Sequence, residues 1–322
     1  MKKKLGPLLR ILFSLGLMAL LYRKVSLQQL HDVFSAMKPA WLVALYALLF
    51  INTAISSFKW RQLLLADKID IPLHSLIAKY LIASFFSMFL PSNIGGDAYR
   101  VYAVAKKGGG TARSFASVLA DRLSGFIAVV LLGFFFCIAA RSRLPDQRIL
   151  LVPVAAFLIL CTAIGILLKQ SFARRALNWR IIERFPKLQK FGHDMLDSVL
   201  QYRRSPGLMF RVMAISFVFQ FNMIVCLFLL SRALGLGVPF HYFCMFVPIV
   251  TLFEALPISI YGIGVRDASY VYFYGSVGLA KHEALSLAIA YLLTTFIYCA
   301  SGGILFMLRR DTGKKFQPLE KA

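Results

Sequence analysis

The chain has 322 residues, of which 59% are hydrophobic and only 16% charged, with a mean hydropathy of +0.71. Soluble domains carry about a quarter charged residues, so this composition excludes a soluble globular protein and indicates an all-α, polytopic integral membrane protein. The formal charge of +23 (37 Lys and Arg against 14 Asp and Glu) sits mainly between apolar segments, and no nucleic-acid-binding motif accompanies it. It therefore indicates membrane topology and anionic lipid headgroups as partners, not nucleic acid.

A helix needs about 20 apolar residues to cross a membrane. The chain opens on Met1-Lys2-Lys3-Lys4 and an apolar run over 5–22. No small-x-small cleavage site precedes Arg23-Lys24, so this reads as an uncleaved first span. Further spans are expected at 40–58, 115–140, 149–168, 208–231 and 284–308, six in all.

Two other apolar runs, 74–90 and 241–260, end in matching interruptions. The first reads Leu90-Pro91-Ser92-Asn93-Ile94-Gly95-Gly96-Asp97-Ala98-Tyr99-Arg100. The second reads Leu256-Pro257-Ile258-Ser259-Ile260-Tyr261-Gly262-Ile263-Gly264-Val265-Arg266-Asp267. Pro91 and Pro257 each remove a backbone donor and the glycines relax φ, so a helix breaks at each site. A broken helix carrying charge at membrane depth survives where it lines a cavity or is buried in protein. Two such breaks in corresponding halves point to a transporter-type binding site.

Between the halves, 169–205 carries nine Lys/Arg against Glu183, Asp194 and Asp197, with apolar residues in helical register. It reads as a basic amphipathic connector on the cytoplasmic surface. Positive-inside counting from that connector puts both termini in the cytoplasm. The cluster at 59–68 and Lys106, Lys107 and Arg113 also fall inside, while 141–148 falls outside. Both ends of 74–113 then lie inside and both ends of 241–283 outside. Each is expected to be a re-entrant hairpin, the two entering from opposite faces. The whole chain, 1–322, reads as a single transmembrane domain built from two inverted repeats, 40–140 and 208–308.

Arg100, Arg122 and Arg266 are the candidate anion ligands, because a guanidinium presents a planar fork that suits phosphate oxygens. Gly95, Gly96, Gly262 and Gly264 would let backbone N–H groups approach the same phosphate, beside the N-terminus of the returning half-helix. Asp97, Asp121, Glu254 and Asp267 are the membrane-depth acids. They are expected to neutralise the arginines across segments, Asp97 with Arg266 and Asp267 with Arg100, or to carry protons. Glu254 has no nearby cation in sequence and is the leading proton carrier.

Other chemistry finds little support. The five cysteines (137, 161, 226, 244, 299) lie in apolar segments without CxxC spacing and read as small buried hydrophobes. The five histidines lack metal-ligand spacing. Lys106-Lys107-Gly108-Gly109-Gly110-Thr111 has its glycine and lysine in the wrong order for a P-loop. No catalytic residue, metal or cofactor is expected.

At the stretches 90–100 and 256–267, and at Asp121-Arg122, the chain resembles the lysylphosphatidylglycerol synthase transmembrane-region family, a flippase-like group of uncharacterised membrane proteins. The resemblance covers nearly the whole chain. Asp121 and Asp267 stand where the family usually has Glu, which keeps the charge and shortens the reach by one methylene. The resemblance implies a lipid-translocating module. In two-domain members that module flips an aminoacylated phospholipid made by a separate synthase domain. This chain ends about a dozen residues after its last span, so lysyltransferase activity is not expected of it.

The expected function is translocation of an anionic, phosphate-bearing lipid across a bacterial-type cytoplasmic (inner) membrane, passive or proton-coupled. The alternatives are a lipid-modifying enzyme, of lysylphosphatidylglycerol synthase or polyprenyl-phosphate glycosyltransferase type, and a non-catalytic protein presenting lipid to a separately encoded synthase. The lipid, the direction of transport and the oligomeric state do not follow from the sequence.

Overall fold

Long apolar runs punctuated by proline and glycine leave the backbone one economical solution in lipid, the helix, which satisfies its own hydrogen bonds. The computed structural model describes residues 21, 26–89, 94–106, 110–168, 195, 198, 200–202, 204–255 and 262–310. Among the described residues there are ten α-helices and no strand. They are α1 (Leu27–Ser35), α2 (Pro39–Ala66), α3 (Leu73–Phe89), α4 (Ile94–Val104), α5 (Thr111–Ala139), α6 (Leu151–Leu168), α7 (Pro206–Ala233), α8 (Phe240–Ala255), α9 (Val265–Gly275) and α10 (Lys281–Arg310).

Five helices are long and apolar enough to cross a membrane: α2, α5, α6 with its preceding 3-10 turn, α7 and α10. The sixth expected span, 5–22, lies outside the described residues except for Leu21, as do Pro91, Pro257 and most of the 169–205 connector. α2 and α7 each start on a proline in the first turn, where a missing N–H costs nothing. α1 was not legible as a span. It is a short amphipathic helix closed by a capping box, with Ser26 Oγ accepting from Gln29 N at 3.2 Å and Gln29 Oε1 accepting from Ser26 N at 3.1 Å.

The two apolar runs before the breaks form α3, with 17 residues, and α8, with 16. At 1.5 Å per residue each is about 25 Å long, short of a hydrocarbon core of about 30 Å. An 11-residue helix follows each break and packs back on the helix before it. In the second hairpin the rings of Phe246 and Phe273 stack 5.3 Å apart, and those of Phe243 and Tyr274 lie 5.1 Å apart.

The series α2-α3-α4-α5 and α7-α8-α9-α10 repeat one order of elements, with lengths of 28, 17, 11 and 29 residues against 28, 16, 11 and 30. The packing repeats as well: α3 lies on α10 and α8 on α5, while α2 and α7 pack along each other. Those two helices run antiparallel. At one end Lys38 N donates to Ala233 O at 2.8 Å, in the middle Asn222 Nδ2 donates to Leu48 O at 3.2 Å, and at the other end Gln201 Nε2 donates to Ala66 O.

α2 extends past its expected end at residue 58 and takes Lys59 and Arg61 into the helix. The cluster at 59–68 is therefore not wholly a cytoplasmic loop. Lys59 is 3% exposed, deep in the packed interior. The helix continues because Lys59 meets a carboxylate partner there instead of having to escape to water.

Three apolar clusters form among the described residues, the smallest of Leu63, Tyr202, Leu208 and Val212, and two larger ones. One gathers Leu227, Phe243, Phe246, Ile249, Tyr274 and Leu287 from the second helix series, and the other Trp60, Leu64, Ile71, Leu76, Val104 and Val118 from the first. The outer surface stays apolar, with Val43, Phe135, Ile159, Phe210 and Ile304 all exposed. Such a surface would be an association hazard in water and is ordinary against lipid. Four cysteines are buried as expected, whereas Cys161 on α6 is exposed on that lipid-type surface.

Candidate functional site

Asp121 is the eleventh residue of α5, about 15 Å along the helix from its start. It is 3% exposed and draws two cations and one hydroxyl. Arg100 Nη2 of α4 lies 2.8 Å from Oδ2, Lys59 Nζ of α2 lies 3.0 Å from Oδ1, and the Tyr80 hydroxyl of α3 donates to Oδ2 at 3.3 Å. Four helices of the first series thus converge on one carboxylate. Lys59 directs its hydrogen bonds to the Asp121 carbonyl at 3.0 Å and to Ser216 Oγ of α7 at 3.2 Å, which ties the two series together.

The Arg100 guanidinium is also held by aromatic faces. Its carbon lies 4.2 Å from the Trp60 ring centre and 4.4 Å from that of Tyr80. Desolvated cation–π contacts are worth up to about 2 kcal/mol each. Trp60 is itself fixed, its Nε1 donating to Ser117 Oγ at 3.0 Å. Asp97, one turn before Arg100, lies 3.8 Å from Arg100 Nη1 and pairs with Arg122 Nε. Three cations therefore face two carboxylates, and Arg122 is the one at the edge, its side chain 44% exposed.

The second series builds a smaller cluster. Arg266, 1% exposed, has Nη2 at 3.5 Å from Asp267 Oδ1 and Nε at 3.9 Å from Glu254 Oε1. Its guanidinium carbon lies 4.9 Å from the ring centre of Tyr291. Tyr291 is the eleventh residue of α10, the same position that Asp121 holds in α5. Each buried arginine thus meets the side chain at the matching place in the last helix of its own series, an acid in one case and a ring in the other.

A cavity of about 690 Å³ lies between the clusters, bounded by Lys59, Asp97, Arg100, Asp121 and Arg122 at one end and by Glu254, Tyr270 and Tyr291 at the other. Its volume falls in the range of small-molecule and headgroup sites.

The structure brings most of the expected residues to one place but pairs them differently. Asp97 meets Arg100 and Arg122, not Arg266. Asp267 meets Arg266, its own neighbour, not Arg100. Glu254 has a cation beside it after all, since Arg266 reaches it from across the hairpin. Arg100 and Arg266 are buried and engaged with carboxylates. Arg100 and Arg122 both line the cavity, and of the two Arg122 is the exposed one.

The glycines serve the backbone more than an anion. Gly96 packs so tightly on α3 that a Cβ there would lie 2.1 Å from Ser87 Oγ and 2.4 Å from the Ala83 carbonyl oxygen, and Gly95 beside it is buried. Gly262 and Gly264 have φ of +71° and +83°, the left-handed turn into α9. The Gly264 N–H donates to Asp267 Oδ2 at 3.3 Å, a cap supplied by the protein itself.

Sequence reading missed Lys59, Trp60, Tyr80 and Tyr291. Lys59 was absorbed into the topology count, and no spacing links the three aromatics to the arginines they hold. Among the described residues no three His, Cys, Asp or Glu side chains group as metal ligands.

These features define a class: a multi-pass α-helical membrane protein with an ion-pair cavity walled by two helix series of like order. The chain belongs to the lysylphosphatidylglycerol synthase TM region family, whose pattern it matches over residues 8–302. It is similar to a UPF0104 membrane protein of Methanothermobacter thermautotrophicus, 21% identical over 294 residues that cover 86% of this chain and 87% of that one. No solved structure matches it.

Proposed function

We propose that the chain translocates an anionic, phosphate-bearing lipid across the cytoplasmic membrane, with the phosphate held at the Arg122 end of the central cavity. The observation that carries this reading is the excess of cation there: Lys59, Arg100 and Arg122 face Asp97 and Asp121 around one cavity of about 690 Å³. A phosphodiester brings one negative charge, which that end would neutralise. Arg122 would exchange Asp97 for a phosphate oxygen, while Arg100 and Lys59 stay locked on Asp121 and hold the field in place.

Membership in a family described as the membrane region of a lipid synthase supports a lipid ligand over a soluble one. The two helix series, with α2 and α7 antiparallel, support an inverted repeat in which each short hairpin opens to its own face. Glu254 sits at the far end, 3.9 Å from Arg266, as the group that would couple transport to protons.

The test is reconstitution of the purified chain into liposomes carrying acyl-labelled fluorescent phosphatidylglycerol, read by dithionite quenching of the outer leaflet. The proposal expects quenching past the half that protein-free vesicles show. A new lipid species found by mass spectrometry in cells overexpressing the chain, which supply group donors, without excess quenching in the liposomes, would replace transport with lipid modification.

A further inference from the structure

A second cavity, of about 380 Å³, adjoins the first, and the two share walls from Ser56, Tyr80, Ser84, Ser87 and Tyr291 and from the apolar Phe219, Met223 and Leu227. Its chemistry differs. Among the described residues that line it there is no charged side chain. Its walls are largely apolar, with Leu45, Leu49, Phe219 and Leu230 among them, and the polar groups set into them are hydroxyls and one amide, including Asn52, Thr53, Ser84, Thr295 and Tyr298.

Four of the hydroxyls in this chamber are already committed. Thr53 Oγ1 donates to Leu49 O at 3.2 Å, Ser84 Oγ to Tyr80 O at 3.1 Å and Thr295 Oγ1 to Tyr291 O at 2.8 Å. The Tyr298 hydroxyl pairs with Thr53 Oγ1. A hydroxyl that has given its proton to a backbone carbonyl keeps lone pairs to accept with. Asn52 adds a bare acceptor: the residue is 3% exposed and its Oδ1 has no hydrogen-bond partner. Buried polar atoms are normally satisfied, so an unpaired carbonyl in the wall of a cavity points to a ligand donor.

We infer that this chamber receives the uncharged, hydroxyl-bearing end of the lipid headgroup, a glycerol or sugar alcohol, while the phosphate stays at Arg122. The inference rests on the proposed lipid translocation and names its substrate class. A neutral O–H donor fits neutral acceptors without a charge to desolvate. An ammonium would enter with no carboxylate in the chamber to meet it and would be left desolvated and unpaired. It would also pass Lys59, Arg100 and Arg122, which line the first cavity. The acids Asp97, Asp121 and Glu254 line the first cavity and not this chamber.

The experiment compares three acyl-labelled lipids of identical chains in the liposome assay: phosphatidylglycerol, phosphatidylmethanol and phosphatidylethanolamine. Phosphatidylmethanol keeps the singly charged phosphodiester and lacks the hydroxyls. The expected result is phosphatidylglycerol moving about tenfold faster than phosphatidylmethanol, on the order of the loss of two net hydrogen bonds, with phosphatidylethanolamine slowest. In Asn52→Leu and, separately, in Thr295→Val, the phosphatidylglycerol-to-phosphatidylmethanol ratio falls toward one. Equal rates for those two lipids in the unaltered protein would overturn the hydroxyl chamber and leave translocation standing. Preference for phosphatidylethanolamine would overturn it in favour of an amine site. Movement of none of the three would overturn the translocation reading as well.

Discussion

Arg100 Nη2 and Asp121 Oδ2 lie 2.8 Å apart, and neither side chain is more than 5% exposed. A pair so buried gains little over an apolar pair of the same volume, but it is expensive to break. Asp121 anchors two cations, Arg100 and Lys59. Asp121→Ala strands both and is expected to cost about 3–5 kcal/mol. Asp97→Ala leaves Arg100 paired and Arg122 at the cavity edge, and is expected to cost less than half as much. Chemical unfolding in detergent micelles, followed by tryptophan fluorescence, measures both. Equal losses for the two variants would remove Asp121 from the centre of the network.

Gly96 is a packing position first. An added methyl would press on the Ala83 carbonyl oxygen as well as on Ser87 Oγ. Gly96→Ala is expected to cost about 1–3 kcal/mol by forcing α4 away from α3. Ser87→Ala should not rescue it, because the backbone contact remains. Melting curves of the single and double variants decide the point, and full rescue by Ser87→Ala would show that the side chain alone sets the spacing.

Asp67 closes the end of α2 and accepts a hydrogen bond from the Tyr202 hydroxyl. Burial pushes its carboxyl above the ordinary value of 3.8, and the hydrogen bonds from Tyr202 and Ser198, together with Arg113, offset part of that rise. The folded state therefore holds this proton more tightly than the unfolded chain does. Its contribution to stability is complete below pH 3.8 and declines as the pH rises through the folded value. Asp67→Asn cannot titrate, so it should gain on the unaltered protein as the pH climbs from that point. Thermal unfolding across the acidic range would show parallel curves if Asp67 were not responsible.

The inverted arrangement is tested by labelling. Asp70→Cys, in the turn after α2, should react with a membrane-impermeant maleimide only from the cytoplasmic side. Ser276→Cys, in the turn after α9, should react only from outside. The native cysteines are no obstacle, since four are buried and Cys161 sits on the lipid-type surface of α6. Labelling of both positions from one side would abolish the inversion.

Much of the fold was legible because lipid imposes so few choices. Runs of apolar residues near 20 long became α2, α5, α6, α7 and α10, and the two runs cut by Pro91 and Pro257 became short helices with returning partners. The arginines and acids of the cavity were legible too, because charge at membrane depth is costly and stands out. Their partners were not. Asp97 and Arg122 belong to different helices, α4 and α5, and no count of charges reveals that the two side chains meet. Lys59 was hidden for the opposite reason: it lies next to other basic residues, and the positive-inside rule explains such a cluster without asking whether one member points inward. Tyr291 carries no charge and looked like any ring in an apolar helix until Arg266 was found against it.

The most direct measurement of the central claim is the rate of phosphatidylglycerol translocation in liposomes for Arg122→Lys and Arg122→Gln beside the unaltered protein. Arg122 has surface on the cavity and its side chain is 44% exposed, so neither change threatens the core. A cation at the edge of the cavity predicts partial activity for the lysine variant and a loss of about tenfold or more for the glutamine variant, since a charged hydrogen bond to phosphate is worth about 1.5–3 kcal/mol. Translocation at the unaltered rate by Arg122→Gln would contradict the account.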